Sequence, residues 1–142
     1  MTPLDYSLKE VFDDAGSRHL IIKATMAVMP YVRQTRTTRW RQGHASGVRA
    51  RAYNESRAAL RDALTGIMLA EGISPFPAVK LGMASKFVMP KANVTDLGNY
   101  EKALEDACNG IVFPDDRWIW KRGEGGKEVG QPGRFTLKLW EY

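Results

Sequence analysis

The sequence predicts an α+β fold, a two-layer arrangement in which a mixed β-sheet of four to five strands packs against two helices. Three observations carry that expectation. β-Branched, partly alternating segments flank two stretches whose apolar residues recur at helical spacing. A length of 142 residues suits one domain, read here as residues 1–142, and an apolar fraction of 44% is that of a globular chain. Cys108 is the only cysteine, so neither an intrachain disulfide nor a cysteine-built zinc site stands in for a packed core.

Residues 1–18 carry mixed charge and run into Asp-Asp-Ala-Gly-Ser, which reads as a loosely held lead-in, too acidic and too broken for a signal peptide. His19 to Met29 is apolar and β-branched, a strand that Pro30 ends. Tyr31 to Gly47 has no helical period and is punctuated by Thr, Gln, Gly and Ser, a long polar loop of the kind that is functional or mobile. From Arg49 to Glu71 the residues Ala52, Ala59, Leu60, Ala63, Leu64, Ile67 and Met68 trace a helix, with Arg57 and Arg61 on its outer face and Gly72 as its stop. A strand follows at Val79 to Met89. A shorter helix covers Asn99 to Asn109, with Tyr100, Ala103, Leu104, Ala107 and Cys108 as its apolar stripe and Gly110 as its terminator. Ile111 to Phe113 reads as extended and Pro114-Asp115-Asp116 as a corner. Trp118 to Lys121 reads as a strand, GEGGKEVGQPG as a flexible loop, and Phe135 to Tyr142 as a closing strand with Phe135, Leu137 and Leu139 on one face. No apolar run is long enough to span a membrane, so the expectation is a soluble, cytoplasmic protein.

The net charge of +5 is unevenly laid out. Between Ala15 and Asn54 there is no Asp or Glu, where the chain's average frequency would place about four or five. Within that stretch lie Arg33, Arg36, Arg39, Arg41, Arg49 and Arg51, interleaved with Trp40. Such a block repels itself and favours a polyanion, with nucleic acid the leading candidate, because a guanidinium grips phosphate oxygens in a fork. Neutralising six phosphates would make log affinity fall with log salt at a slope of about −5. Trp40 either stacks on an unpaired base or packs beneath the loop.

The acids are candidates for chemistry. A helix of about eleven residues carries the chain roughly 16 Å from Asp96, and six extended steps from Gly110 return it by roughly 20 Å. Asp116 is therefore expected beside Asp96 at one end of the sheet. Carboxylates converging there would need a hard divalent ion such as Mg²⁺ to neutralise them, with Lys102 near enough to hold a phosphate oxygen. By spacing alone, Asp115-Asp116 reads first as a solvated corner.

The run Asp96-Leu97-Gly98-Asn99-Tyr100-Glu101-Lys102-Ala103-Leu104-Glu105-Asp106-Ala107, followed by Asn109-Gly110 and then Asp115-Asp116, resembles the signature of the RusA family of Holliday-junction resolvases. The family pattern is Asp-x-Asp-Asn-Leu-x-Lys-Ala-x-x-Asp-Ala, a short Asn-Gly turn, then Asp-Asp before a strand. The likeness is close over residues 96–116 and loose over most of the chain. It implies an intimate homodimer that nicks four-way DNA junctions in pairs, using Mg²⁺, with Mn²⁺ as a substitute. It further implies Asp96 and Asp116 as metal-binding aspartates, Asp115 as the acidic neighbour and Lys102 as the catalytic lysine. The Arg-rich loop at 31–47 would face the DNA. The pattern's second aspartate falls on Gly98, so either Glu101 or Asp115 takes its place or the site is weakened or inactive.

Other residues are read as structural. His44 is expected to face solvent, His19 to serve the strand it opens, and Cys108 to sit in the core. Trp118, Trp120 and Trp140 are expected as core or dimer-interface anchors. Three readings therefore stand: a metal-dependent junction endonuclease, a branched-DNA-binding protein without catalysis, and a structural protein whose charge aids solubility.

Overall fold

The alternation in Arg18–Ala24 buries Leu20, Ile22 and Ala24 while Lys23 points to water, the pattern of a strand with one covered face. In the computed structural model, which describes residues 4–32, 45–91 and 95–142, that strand lies inside a six-stranded sheet. The elements run β1 (Tyr6–Phe12), β2 (Arg18–Ala24), α1 (Ala45–Ala70), β3 (Leu81–Met89), α2 (Leu97–Cys108), a 3₁₀ turn (Asp116–Trp118), β4 (Ile119–Arg122), β5 (Gly126–Val129) and β6 (Arg134–Glu141). Their order across the sheet is β1-β2-β6-β3-β4, with β5 also on β3. The first four strands of that order pair antiparallel, while β4 and β5 pair parallel to β3, giving the mixed α+β sheet expected.

Both helices cover one face. From α1 come Leu60, Leu64, Ile67 and Met68, and from α2 Tyr100, Leu104, Ala107 and Cys108, packed on Leu20, Ile22, Leu81, Met83, Phe87, Leu137 and Leu139. Leu104 is fully buried, a contribution of about 1.5–3 kcal/mol by area. Phe135, Leu137 and Leu139 share the covered face as expected, and burial pushes the Cys108 thiol up, consistent with a core residue.

Several expectations are corrected. Within the stretch 1–18 expected as a loose lead-in, the described residues are held in place: Tyr6–Phe12 pairs with β2, and Tyr6 and Leu8 pack against the core. Asp13, in the turn after β1, accepts from the N–H groups of Ala15 and Ser17 at 2.9 Å, and Gly16 takes φ 82°. The Asp-Asp-Ala-Gly-Ser cluster is thus the hairpin turn between β1 and β2. Arg18 then fixes three elements at once. Its Nε donates to Glu10 Oε2 at 2.6 Å, its Nη2 to the Ser74 carbonyl at 2.6 Å, and its backbone N–H to Glu141 Oε1 at 2.8 Å. The second strand ends at Ala24 rather than Met29. α1 starts at Ala45, inside the segment expected as loop, and Ala52 and Ala59 are exposed while Tyr53 is buried. Residues 33–44, which hold Arg33, Arg36, Arg39, Trp40, Arg41 and His44, lie outside the described residues.

The Gly-rich stretch expected as a flexible loop contains β5. Together β4 and β5 form one edge of β3, interrupted at Gly123–Gly125, with β4 on Leu81–Met83 and β5 on Lys86–Met89. A Cβ on Gly125 would stand 2.5 Å from the Ser85 carbonyl oxygen, so only glycine lets the chain pass there. Trp118 and Trp140 are half-buried and Trp120 is 59% exposed, so of the two roles expected, core or dimer-interface anchor, none of the three fills the first. Among the described residues no helix is long and apolar enough to cross a membrane.

Candidate active site

The second helix organises the acids. Asp96 is its N-cap residue, exposed and extended (φ −60°, ψ 143°), and its carboxylate makes no hydrogen bond to the helix's free N–H groups. At the other end Arg61 reaches across from α1, and its Nη1 donates to the carbonyls of Asp106, Ala107 and Asn109 at 3.3, 3.3 and 2.7 Å. Arg61 is thus a C-terminal cap whose charge complements the helix dipole, not the outward-facing residue expected. Gly110, at φ 77°, ends the helix as foreseen.

From Gly110 the chain does not return extended. The N–H groups of Ile111 and Val112 donate back to the Cys108 carbonyl at 3.0 and 2.9 Å, and Asn109 bridges Phe113 across a tight turn. The helix's unsatisfied carbonyls and the burial of Val112 and Phe113 explain the difference. The corner at Pro114 leads into the 3₁₀ turn, whose N-cap Asp115 accepts from the Arg117 N–H at 2.9 Å. Asp116 follows within the electrostatic reach of Lys102 and Asp106. Burial first, then the hydrogen bond and charge of Asp115, push the Asp116 carboxyl above its ordinary range, while Lys102 pulls it back. The Arg117 N–H, then the hydrogen bond with Asp116, hold Asp115 below it.

Lys102 is held from two sides. Its Nζ lies 3.6 Å from Asp106 Oδ1, one turn along, and 4.8 Å from the centre of the Tyr31 ring. Asp106 in turn accepts from the Tyr53 hydroxyl at 3.3 Å, and the Tyr31 and Tyr53 rings meet edge to face at 5.6 Å. Burial, helped by the Asp106 charge, raises the Tyr53 phenol, so it stays a donor. On the neighbouring face Arg122, the last residue of β4, ion-pairs with Glu101 at 3.9 Å and also with Glu105. Glu105 is 4% exposed, and burial raises its carboxyl against the opposing effect of Arg122.

Asp115, Asp116, Lys102 and Asp106 therefore come together beside the middle and end of α2. Asp96 stands at its start, six residues and about 9 Å of helical rise before Lys102. Glu101 is engaged by Arg122, and Gly98 is exposed with nothing within 4 Å of an added Cβ. Arg49 and Arg51 are exposed in the first turns of α1. Sequence reasoning missed Tyr53, Arg61, Glu105 and Arg122. One signal was available: Glu101 and Glu105, four apart on one helix, repel unless a cation joins them.

Among the described residues no three His, Cys, Asp or Glu side chains converge as a ready cage for a metal ion. The donor chemistry nevertheless suits Mg²⁺, a hard ion bound through one or two carboxylates with substrate phosphate and water completing its shell. The crowding that raises Asp116 is what such a cation relieves. The family described as Endodeoxyribonuclease RusA matches residues 30–134. No curated protein matches the chain.

Proposed function

The chain belongs to the RusA endodeoxyribonuclease family, and from that premise we propose that residues 1–142 act as one domain that nicks four-way DNA junctions by metal-dependent hydrolysis. The observation that carries the reading is Asp116, its carboxyl raised by burial and by its acidic neighbours, with the Lys102 ammonium in electrostatic reach. Asp116 and Asp96 would hold Mg²⁺, or Mn²⁺ in its place, with Asp115 or Glu101 as a further oxygen donor. A bound divalent cation supplies an acidified water and offsets charge on the phosphodiester.

The remaining work falls to the protein. Lys102, kept in place by Asp106 and Tyr31, meets charge growing on the scissile phosphate. Arg122 neutralises Glu101 and Glu105, so that the acidic helix does not repel DNA. Arg49 and Arg51, with Arg33, Arg36, Arg39, Arg41 and Trp40, hold the duplex from the basic segment. A homodimer would supply two such sites for paired nicks.

A second reading, a branched-DNA-binding protein with weakened catalysis, is favoured by the open position at Gly98, where the family pattern has an aspartate. One assay separates the two. A synthetic four-way junction is offered with Mg²⁺, Mn²⁺ or EDTA. Nicking that needs metal and drops by at least about 10²-fold in Asp116→Asn, with binding retained, supports the nuclease. Tight, salt-sensitive binding without nicking in any metal supports the second reading and refutes the first.

A further inference from the structure

The face of the sheet turned away from both helices is uncovered, and it is basic. Lys23 on β2 and Lys86 on β3 flank Thr136 of β6 in one register row, and Lys138 occupies the next row between Ile21 and Ala84. Side chains in register share a face, and two strand spacings put the Lys23 and Lys86 backbones about 10 Å apart. All three lysines are exposed, and none has an ion-pair or hydrogen-bond partner among the described residues. They border a depression of about 410 Å³ in which Glu124 is the one carboxylate. Three unpaired ammonium groups lie within about a Debye length of one another, so they repel until a polyanion joins them.

The floor of this face is flat for a definite reason. The Trp140 indole lies directly over Gly82, where a Cβ would stand 2.1 Å from Cε2, and reaches Gly123. Lying against the backbone, the ring does not project as a wall for stacking unpaired bases. A second copy of the chain fits poorly, since two-fold pairing through this face would set the lysines against themselves. Duplex DNA presents one negative charge per about 1.7 Å of axis, so a span of about 10 Å meets roughly six.

We propose that this open sheet face, through Lys23, Lys86 and Lys138, binds the phosphate backbone of a second duplex arm while another arm lies at the acid cluster around Asp116. The inference rests on the DNA-cutting reading above and adds the surface that holds DNA away from the cut. It makes the protein a two-sided clamp, in which one face positions a strand and the other fixes the branch.

The test combines two measurements on the full chain. In the triple variant Lys23→Ala, Lys86→Ala, Lys138→Ala, the plot of log affinity for a four-way junction against log salt becomes shallower by about 2.7, and affinity falls roughly tenfold or more. All three side chains are exposed, so the melting temperature and circular dichroism stay those of the unchanged protein. Independently, Thr136→Cys forms a covalent adduct with junction DNA carrying a thiol-reactive group on an arm backbone, while buried Cys108 stays silent. An unchanged slope or a missing adduct, in a protein that still binds and nicks junctions, overturns this inference and leaves the functional reading standing. An unsubstituted protein that neither binds nor nicks overturns both. A homodimer that Thr136→Glu dissociates overturns the proposal in favour of self-association.

Discussion

The two halves of α2 differ in how they are held. From its middle to its C-terminus the helix is fastened by three separate parts of the chain: α1, through Arg61 on the terminal carbonyls and Tyr53 on Asp106, β4, through Arg122 on Glu105, and Tyr31, over Lys102. Its start carries an exposed Asp96 that makes no capping hydrogen bond and a bare Gly98, and the nearest ties are the Tyr31 N–H on the Asn99 carbonyl at 2.9 Å and Arg122 beside Glu101 at 3.9 Å. One helix thus joins a rigid lysine-bearing end to an open acidic end. On the proposed nuclease reading, transition-state stabilisation would reward the first, because a preorganised ammonium need not reorient as charge develops. The second suits the entry of a hydrated cation and a bulky DNA strand.

Breaking the rigid half should have the largest effect. Lys102→Ala is expected to slow junction nicking by about 10²-fold while leaving binding within a few-fold, measured as single-turnover rates on labelled junctions. Next comes Arg122→Ala, which strands the buried Glu105 carboxylate. It should cost about 1–3 kcal/mol of stability by denaturant unfolding, and adding Glu105→Gln should recover part of that loss. Full stability in Arg122→Ala would show that the ion pair is no fastening at all. The open half offers the smallest effect and the opposite sign. Gly98→Asp enters free space in the first helical turn, where a carboxylate is favoured by the dipole and glycine is a poor helix former. It is expected to lower the metal concentration for half-maximal nicking by roughly tenfold. No change there would mean that the two ends work without a third carboxylate.

What could be read from the sequence tracks how local each cause is. The stripe Tyr100, Ala103, Leu104, Ala107 and Cys108 was legible because burial follows the helical period, and the alternation of β6 because one face is covered. β1 was hidden because acids at its turn masked a two-residue period at Tyr6 and Leu8. β5 was hidden because its strand character comes from pairing with β3, not from its Gly-rich composition. Within the candidate site, the motif named Asp96, Lys102, Asp115 and Asp116. Their supports, Tyr53, Arg61 and Arg122, lie 53, 45 and 17 residues along the chain from the α2 residues they hold, and no local pattern encodes that.

The hydrogen bond from Tyr31 to Asn99 sets a datum for the whole molecule. The arginine-bearing stretch leaves the described chain just after Val32, one residue beyond that anchor, and re-enters at Ala45 as the helix whose Arg61 closes the far end of α2. Both exits of that stretch are thus measured from the same short rod. On the proposed reading, a strand held by Arg49 and Arg51, just past that re-entry, stands at an offset from Lys102 that is a dimension of the protein rather than of the DNA.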